Sequence, residues 1–362
     1  MSTYKVNQTL TLPFSLLLLL LLPSLSLATS PEDCGVETEG TCHNKPKALR
    51  LKVIAIATIL IASMMGVCLP LVTKSVPALH PDRNLFVVVK AFASGVILAT
   101  GYMHVLPDSF NDLQSPCLPE NPWHKFPFTT FIAMLSAIFT LLVDSLMLTF
   151  YNRNKKGSSD AAVVSSESPM EFHGHGHGHG HGHSGAMEVV GHDLEENKKD
   201  VALRRNRVIA QVLELGIVVH SVVIGLGMGA SQNVCMIRPL VAALCFHQLF
   251  EGMGLGGCIL QAEYGLKMKS ILVFFFSVTT PFGIALGIAL SNVYRDGSPT
   301  ALIVVGVLNA SSAGLLNYTA LVDLLSADFL GPRLQGNVRL QMVAFAAVLL
   351  GAGGMSLMAK WA

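Results

Sequence analysis

Apolar residues in this chain fall in long unbroken runs, without the alternation of a half-buried strand or the single apolar stripe of a soluble amphipathic helix. Eight runs are long enough, at about 1.5 Å per helical residue, to cross a hydrocarbon layer about 30 Å thick. They are Leu49 to Leu71, Leu85 to Leu106, Pro127 to Tyr151, Val208 to Ala230, Ile237 to Gln261, Ser270 to Asn292, Ala301 to Leu325 and Leu340 to Lys360. The predicted fold class is all-α, a polytopic membrane protein of eight transmembrane helices. A polar stretch over 152–207, Ser-rich at its start, Gly-His in the middle and charged at its end, has no apolar periodicity and is predicted to be a disordered loop. The other connections are short, which leaves no room for a soluble catalytic domain. Before the first run, Lys5, the apolar segment Leu16 to Leu22 and the small residues Ser26 and Ala28 read as a signal peptide over 1–28. That segment is shorter than a span and is flanked by Pro13 and Pro23.

Composition agrees with a membrane protein: 51% of residues are hydrophobic and 13% charged, with a mean hydropathy of +0.55. The formal net charge of +1 points to no nucleic-acid partner. Charge placement is more informative. With a cleaved leader and eight spans, both mature termini are predicted outside. The inner segments then hold Lys74, Arg83, Arg153, Lys155, Lys156, the cluster from Lys198 to Arg207, Lys267, Lys269, Arg333 and Arg339, against Lys125, Arg238 and Arg295 outside. Lys45, Lys47, Arg50 and Lys52, on the outer flank of the first span, run against this asymmetry. Of the seven cysteines, only Cys34, Cys42 and Cys117 are expected in the oxidising compartment, and the spacing of Cys34 and Cys42 permits a short disulfide loop. Cys68, Cys235, Cys245 and Cys258 fall in apolar helices.

Ionisable groups inside a span are expensive and mark a pathway or a binding site. His247 and Glu251 are four residues apart in the fifth run, on one helix face and one turn from each other, so an imidazole nitrogen and a carboxylate oxygen can meet one ion. His220 on the preceding antiparallel run is placed to supply a third donor, a set that suits zinc, iron(II) or manganese. Glu214 points to another face of the same helix. His104 and Asp108 lie near the outer end of the second run, and Asp144 lies within the third. Both aspartates are placed to draw a hydrated cation inward. The glycines after His220 and Glu251, among them Gly225, Gly229, Gly252 and Gly256, suit spans that pack closely or slide. In the polar loop, His173, His175, His177, His179, His181 and His183 alternate with glycine, a flexible, fast-exchanging metal buffer or sensor.

Three segments carry a resemblance to the ZIP family of divalent-metal transporters, specifically its plant zinc and iron branch. They are His104-Val105-Leu106-Pro107-Asp108-Ser109-Phe110, His220-Ser221-Val222-Val223-Ile224-Gly225 and His247-Gln248-Leu249-Phe250-Glu251-Gly252. The resemblance implies eight spans with extracellular termini, a His-rich cytosolic loop, and inward metal movement by alternating access. It also implies a homodimer and a transport site of His220, His247 and Glu251, with His104 as a further contributor and Asp108 and Asp144 along the entrance. The family's binuclear members have an Asn and two acids where this chain has Ser221, Ile224 and Gln248, so a single metal site is expected.

The predicted organisation is therefore a signal peptide 1–28, an extracellular segment 29–48, spans one to three over 49–151, the cytosolic His-rich loop 152–207 and spans four to eight over 208–362. The expected function is import of zinc as transported substrate, with no prosthetic group and no enzyme activity. The expected setting is a lipid bilayer, by default the plasma membrane. An iron(II) or manganese importer is the alternative, with cadmium tolerated by the same ligands. An exporter of the cation-diffusion type resembles a six-span chain. A metal-sensing receptor differs only in flux. An intramembrane metalloprotease needs a His-Glu-x-x-His string, which does not occur.

Overall fold

The structure is a computed structural model that describes residues 44–73, 83–164, 185–291 and 298–359. The leader, Cys34, Cys42 and the His173–His183 tract lie outside the described residues. Among the described residues there are no strands and eight helices long and apolar enough to span a membrane. They are α1 (Lys45–Val72), α2 (Asn84–Leu113), α3 (Phe128–Met147), α4 (Lys199–Ala230), α5 (Val234–Gln261), α6 (Leu266–Leu290), α7 (Pro299–Phe329) and α8 (Val338–Met358). Starts are set by local chemistry. The Asn233 side chain accepts from the backbone N–H of Cys235 and Met236 at α5, and Ser298 and Asn337 cap α7 and α8 in the same way. Helical backbone also extends from α3 to Val164 and resumes at Gly185, so helix enters both ends of the polar stretch.

Apolar spans have no hydrophobic drive to associate within lipid, so close packing of small residues decides which helices pair. Four pairs form: α1 with α5, α4 with α6, α2 with α8, and α3 with α7. Each is a backbone-to-backbone contact at glycine. A Cβ on Gly229 would fall onto the carbonyl oxygen of Ile284, one on Gly66 onto that of Leu249, one on Gly351 onto that of Phe92, and one on Gly314 onto that of Ala133. Further contacts join α1 to α6 and α4 to α5, which gathers α1, α4, α5 and α6 into one group. Helices α2, α3, α7 and α8 make the other.

Across the seam between the groups, where α4 meets α7 and α5 meets α2, glycines face side-chain tips instead. Gly216 faces Leu316, and Gly254 faces the end of Ile97. Two corrections concern the outer flank. Lys52 is 2% exposed and donates to the Gly229 carbonyl oxygen at 2.7 Å, so it caps the C-terminus of α4 and is no part of a charged loop. Cys235, expected as a reduced helix cysteine, is disulfide-bonded, as is Cys117. Cys235 sits in the first turn of α5, where it reaches the same water-facing end as the 114–127 connection.

The glycine contacts predict an asymmetry of tolerance. Gly351→Ala should lower thermal stability in detergent by about 1–3 kcal/mol through overpacking. Gly353→Ala, where an added Cβ meets nothing within 4 Å, should be neutral, as read by fluorescence-detected size exclusion after heating.

Candidate functional site

Two of the spans are interrupted by π-helical turns, at Thr100–Val105 in α2 and Thr319–Ser326 in α7. A π turn inserts one residue into the helical repeat and re-aims the side chains beyond it. In α2 this turn ends at Val105, and Pro107 sits in the first turn of the α-helical segment that follows, where its missing N–H costs little. The span therefore continues to Leu113, and His104 lies inside the bundle, not near its outer end as the sequence suggested. The residue is 3% exposed.

His104 reaches across the seam to α4 and α5. Its ring centroid is 5.1 Å from that of His220 and 5.8 Å from that of His247, and the two latter rings are 5.6 Å apart. All three pairs meet edge to face. His247 Nε2 stands 3.1 Å from Glu251 Oε2 on the next turn of α5, as the i, i+4 spacing required. His220 is 1% exposed, His247 2% and Glu251 fully buried.

The polar atoms of this cluster are unsatisfied. Both nitrogens of His220 and of His247, Nε2 of His104 and both carboxylate oxygens of Glu251 have no hydrogen-bond partner among the described residues. The 3.1 Å approach of His247 to Glu251 lacks hydrogen-bond alignment. Buried polar groups are almost always paired, and leaving this many unpaired in one place costs several kcal/mol. Such a set is accounted for by a ligand that binds to imidazole and carboxylate lone pairs, which a divalent transition-metal ion does. Among the described residues no group of three or more His, Cys, Asp or Glu stands close enough together to hold a metal ion. The donors stand on both sides of the seam, His104 on one group and His220, His247 and Glu251 on the other.

The surrounding groups divide by role. His104 Nδ1 lies 3.7 Å from Asp108 Oδ2, and Asp108 is 38% exposed, so a carboxylate stands between the cluster and the water at the Cys117 end. Asp144 is not beside it. Fifteen residues, about 22 Å of helix, separate Asp144 from Thr129, which bonds Ser109 next to Asp108. Asp144 instead neighbours Tyr318 and Arg205 at the opposite end of the bundle. Gln248 is turned away from ion duty: its amide nitrogen donates to Ser63 Oγ at 3.1 Å and to Thr280 Oγ1 at 3.0 Å, which ties α5 to α1 and α6. Ser221, 1% exposed, keeps an unpaired hydroxyl beside His220.

Two residues escaped the sequence reading. Asn309 on α7 is 3% exposed, faces His220 and has an unpaired Oδ1. Asp323 on the π-helix of α7 is buried at the seam. A search for every polar side chain in the seventh run, amides included, would have found both. The His173–His183 tract lies outside the described residues.

Known proteins agree with this architecture. The family model described as ZIP Zinc transporter matches residues 49–359. "Fe(2+) transport protein 1" of Oryza sativa subsp. japonica is 68% identical over 351 residues, which cover 94% of this chain and 93% of that protein. "Probable zinc transporter 10" of Arabidopsis thaliana is 55% identical over 342 residues, covering 93% of each. "Zinc transporter 7" of Arabidopsis thaliana is 55% identical over 351 residues, covering 96% of each. These relatives are transporters and not enzymes, and a match over all eight spans with identities of this size shows that the chain belongs to the ZIP family.

Proposed function

We propose that the protein imports zinc into the cytosol, with the ion held in transit by His104, His220, His247 and Glu251. The observation that carries this reading is the set of unpaired nitrogen and carboxylate atoms, almost fully buried, at the seam between two helix groups. Three imidazoles and one carboxylate are borderline ligands, strong enough to strip part of a zinc hydration shell. Because His104 belongs to one group and the other donors to the second, a shift along the seam changes coordination number. That is the requirement for binding an ion from one side and releasing it to the other by alternating access. Asp108 serves the entrance; Asp144, at the far end, serves the exit in this reading.

Orientation follows from chemistry at the two ends. The disulfide-bonded Cys117 and Cys235 mark the outer, oxidising face. The basic residues Lys199, Arg204, Arg205, Arg207, Lys267, Lys269, Arg333 and Arg339 mark the cytosolic face. In this reading a cleaved leader over 1–28 sends the chain into the secretory route with both termini outside, by default to the plasma membrane, with an internal membrane as the alternative. The His173–His183 tract then lies in the cytosolic loop as a buffer or sensor, and a homodimer in the lipid bilayer is the assembly. Iron(II) is a second reading, favoured by the 68% identity to a relative named as an Fe(2+) transport protein.

Uptake of labelled zinc by cells at matched surface abundance tests the site. Glu251→Ala should lose roughly 10-fold or more of wild-type uptake, since even outer-sphere partners of metal ligands contribute 10–100-fold. Deletion of His173–His183 should leave uptake in place. Wild type without zinc uptake overturns the importer reading; competition by iron(II) at equal concentration decides between the two cargoes. Purified protein lacking the tract should bind one zinc per protomer, because Gln248 and Ser221 are neutral. Two tightly held ions would refute a single site.

A further inference from the structure

The second π-helix has no part in the zinc cluster, yet it does for α7 what the first does for α2: it turns an ionisable side chain into the seam. Asp323 has a side chain 2% exposed, and Arg205 of α4 reaches it from the other helix group, Nη2 to Oδ1 at 3.3 Å. Asp144 and Tyr318 are the other ionisable groups around it. A few ångströms further along the seam, Lys90 of α2 bonds Asp328 of α7 at 2.8 Å and reaches Gln261 Oε1 of α5 at 3.3 Å. The Arg205–Asp323 pair and the Lys90–Gln261 bond cross between the groups, the Lys90–Asp328 pair lies within the second, and all of them border a cavity of about 130 Å³ whose wall includes Cys258. Arg205 lies fifteen residues, about 22 Å along α4, from His220. The pair therefore closes the seam well away from the metal donors and on the cytosolic side of them.

We propose that Arg205 and Asp323 are the inner gate of the transport pathway, a latch between the two helix groups that must part before an ion leaves toward the cytosol. The assignment rests on the transport reading given above. Within each helix pair the backbones meet at glycine, whereas the two groups meet through side chains, so the seam is where opening needs only side chains to part. At the inner end those side chains are charged. A carboxylate as buried as Asp323 does not give up its counter-ion without a replacement, so the latch releases only when water or another cation reaches it. Arg205, 41% exposed at the cavity mouth, is free to swing out, whereas Asp323 is held by its π-helix. Lys90 stays paired to Asp328 within its own group and gives up only the bond to Gln261.

Cys258, a free and buried thiol on the same cavity, reports on the gate without any need for flux. The full-length protein is prepared in inside-out vesicles with Cys68 and Cys245 changed to Ser, and a membrane-impermeant maleimide is added. Cys258→Ala should abolish the labelling. Arg205→Gln and Asp323→Asn should each label roughly fivefold faster than the parent, the shift in opening expected from a partly exposed ion pair. Arg205→Lys, which keeps the charge, should stay within about twofold of the parent. Asp323→Asn preserves shape and removes the buried charge, so it remains informative if Arg205→Gln does not fold. If both neutral variants label at the parent rate, or Arg205→Lys labels as fast as Arg205→Gln, the gate is refuted. Release of zinc preloaded into the same vesicles, which is the importing direction in this orientation, separates the two readings: labelling that responds in a protein that releases no zinc sinks the transport reading alone, and release with unresponsive labelling sinks the gate alone.

Discussion

Inside a hydrocarbon layer every polar group must be satisfied by the protein itself, and this bundle gathers three imidazoles and a carboxylate with unsatisfied atoms at one point. His104, His220, His247 and Glu251 are buried to within a few percent with their nitrogens and oxygens unpaired. Several hydroxyls in the spans bond back to a carbonyl one turn earlier, as Thr100 does to Val96 and Thr140 to Ser136. Their polarity is absorbed locally. The contrast between absorbed and exposed polarity within one membrane interior is what separates the metal path from the scaffold around it.

The scaffold is divided to serve that point. Glycine lets α1 lie on α5, α4 on α6, α2 on α8 and α3 on α7 at backbone contact, which makes four close pairs that assemble into two groups. Between them the interface consists of side chains, and side chains repack more readily than backbones separate. Both π-helices lie in the second group, and each presents a polar residue to the first: His104 at the cluster and Asp323 at the inner end. A regular α-helix over either stretch would shift these residues by about 100° around the axis and remove them from the seam.

The residues around the donors differ from those of a two-ion centre. Gln248 lies next to His247 and would be an acid in a two-ion centre; here its amide nitrogen is occupied by Ser63 and Thr280. A neutral, hydrogen-bonded neighbour adds no charge to bind a second cation and keeps α5 fixed against α1 and α6. Lys52 illustrates the same economy at the outer surface. It looked like a charge that contradicted the topology, but it lies within the bundle as the cap of α4 and so exerts little pull on orientation.

Much of this was legible along the chain. Eight apolar runs of spanning length determined the helix number, since in lipid only a helix satisfies its own backbone. The i, i+4 spacing of His247 and Glu251 determined that they share a face, because helical geometry is local. Four things required the tertiary structure. The π turn that carries His104 inward is a non-local adjustment with no sequence periodicity of its own. The separation of Asp108 from Asp144 to opposite ends of the bundle, and the meeting of Arg205 with Asp323 across 118 residues, depend on which helices are neighbours. The disulfide bonding of Cys235 depends on where α5 begins relative to the water-facing surface. Sequence specifies each helix through interactions within a few turns; which helices meet, and with which faces, is decided by packing among all eight at once.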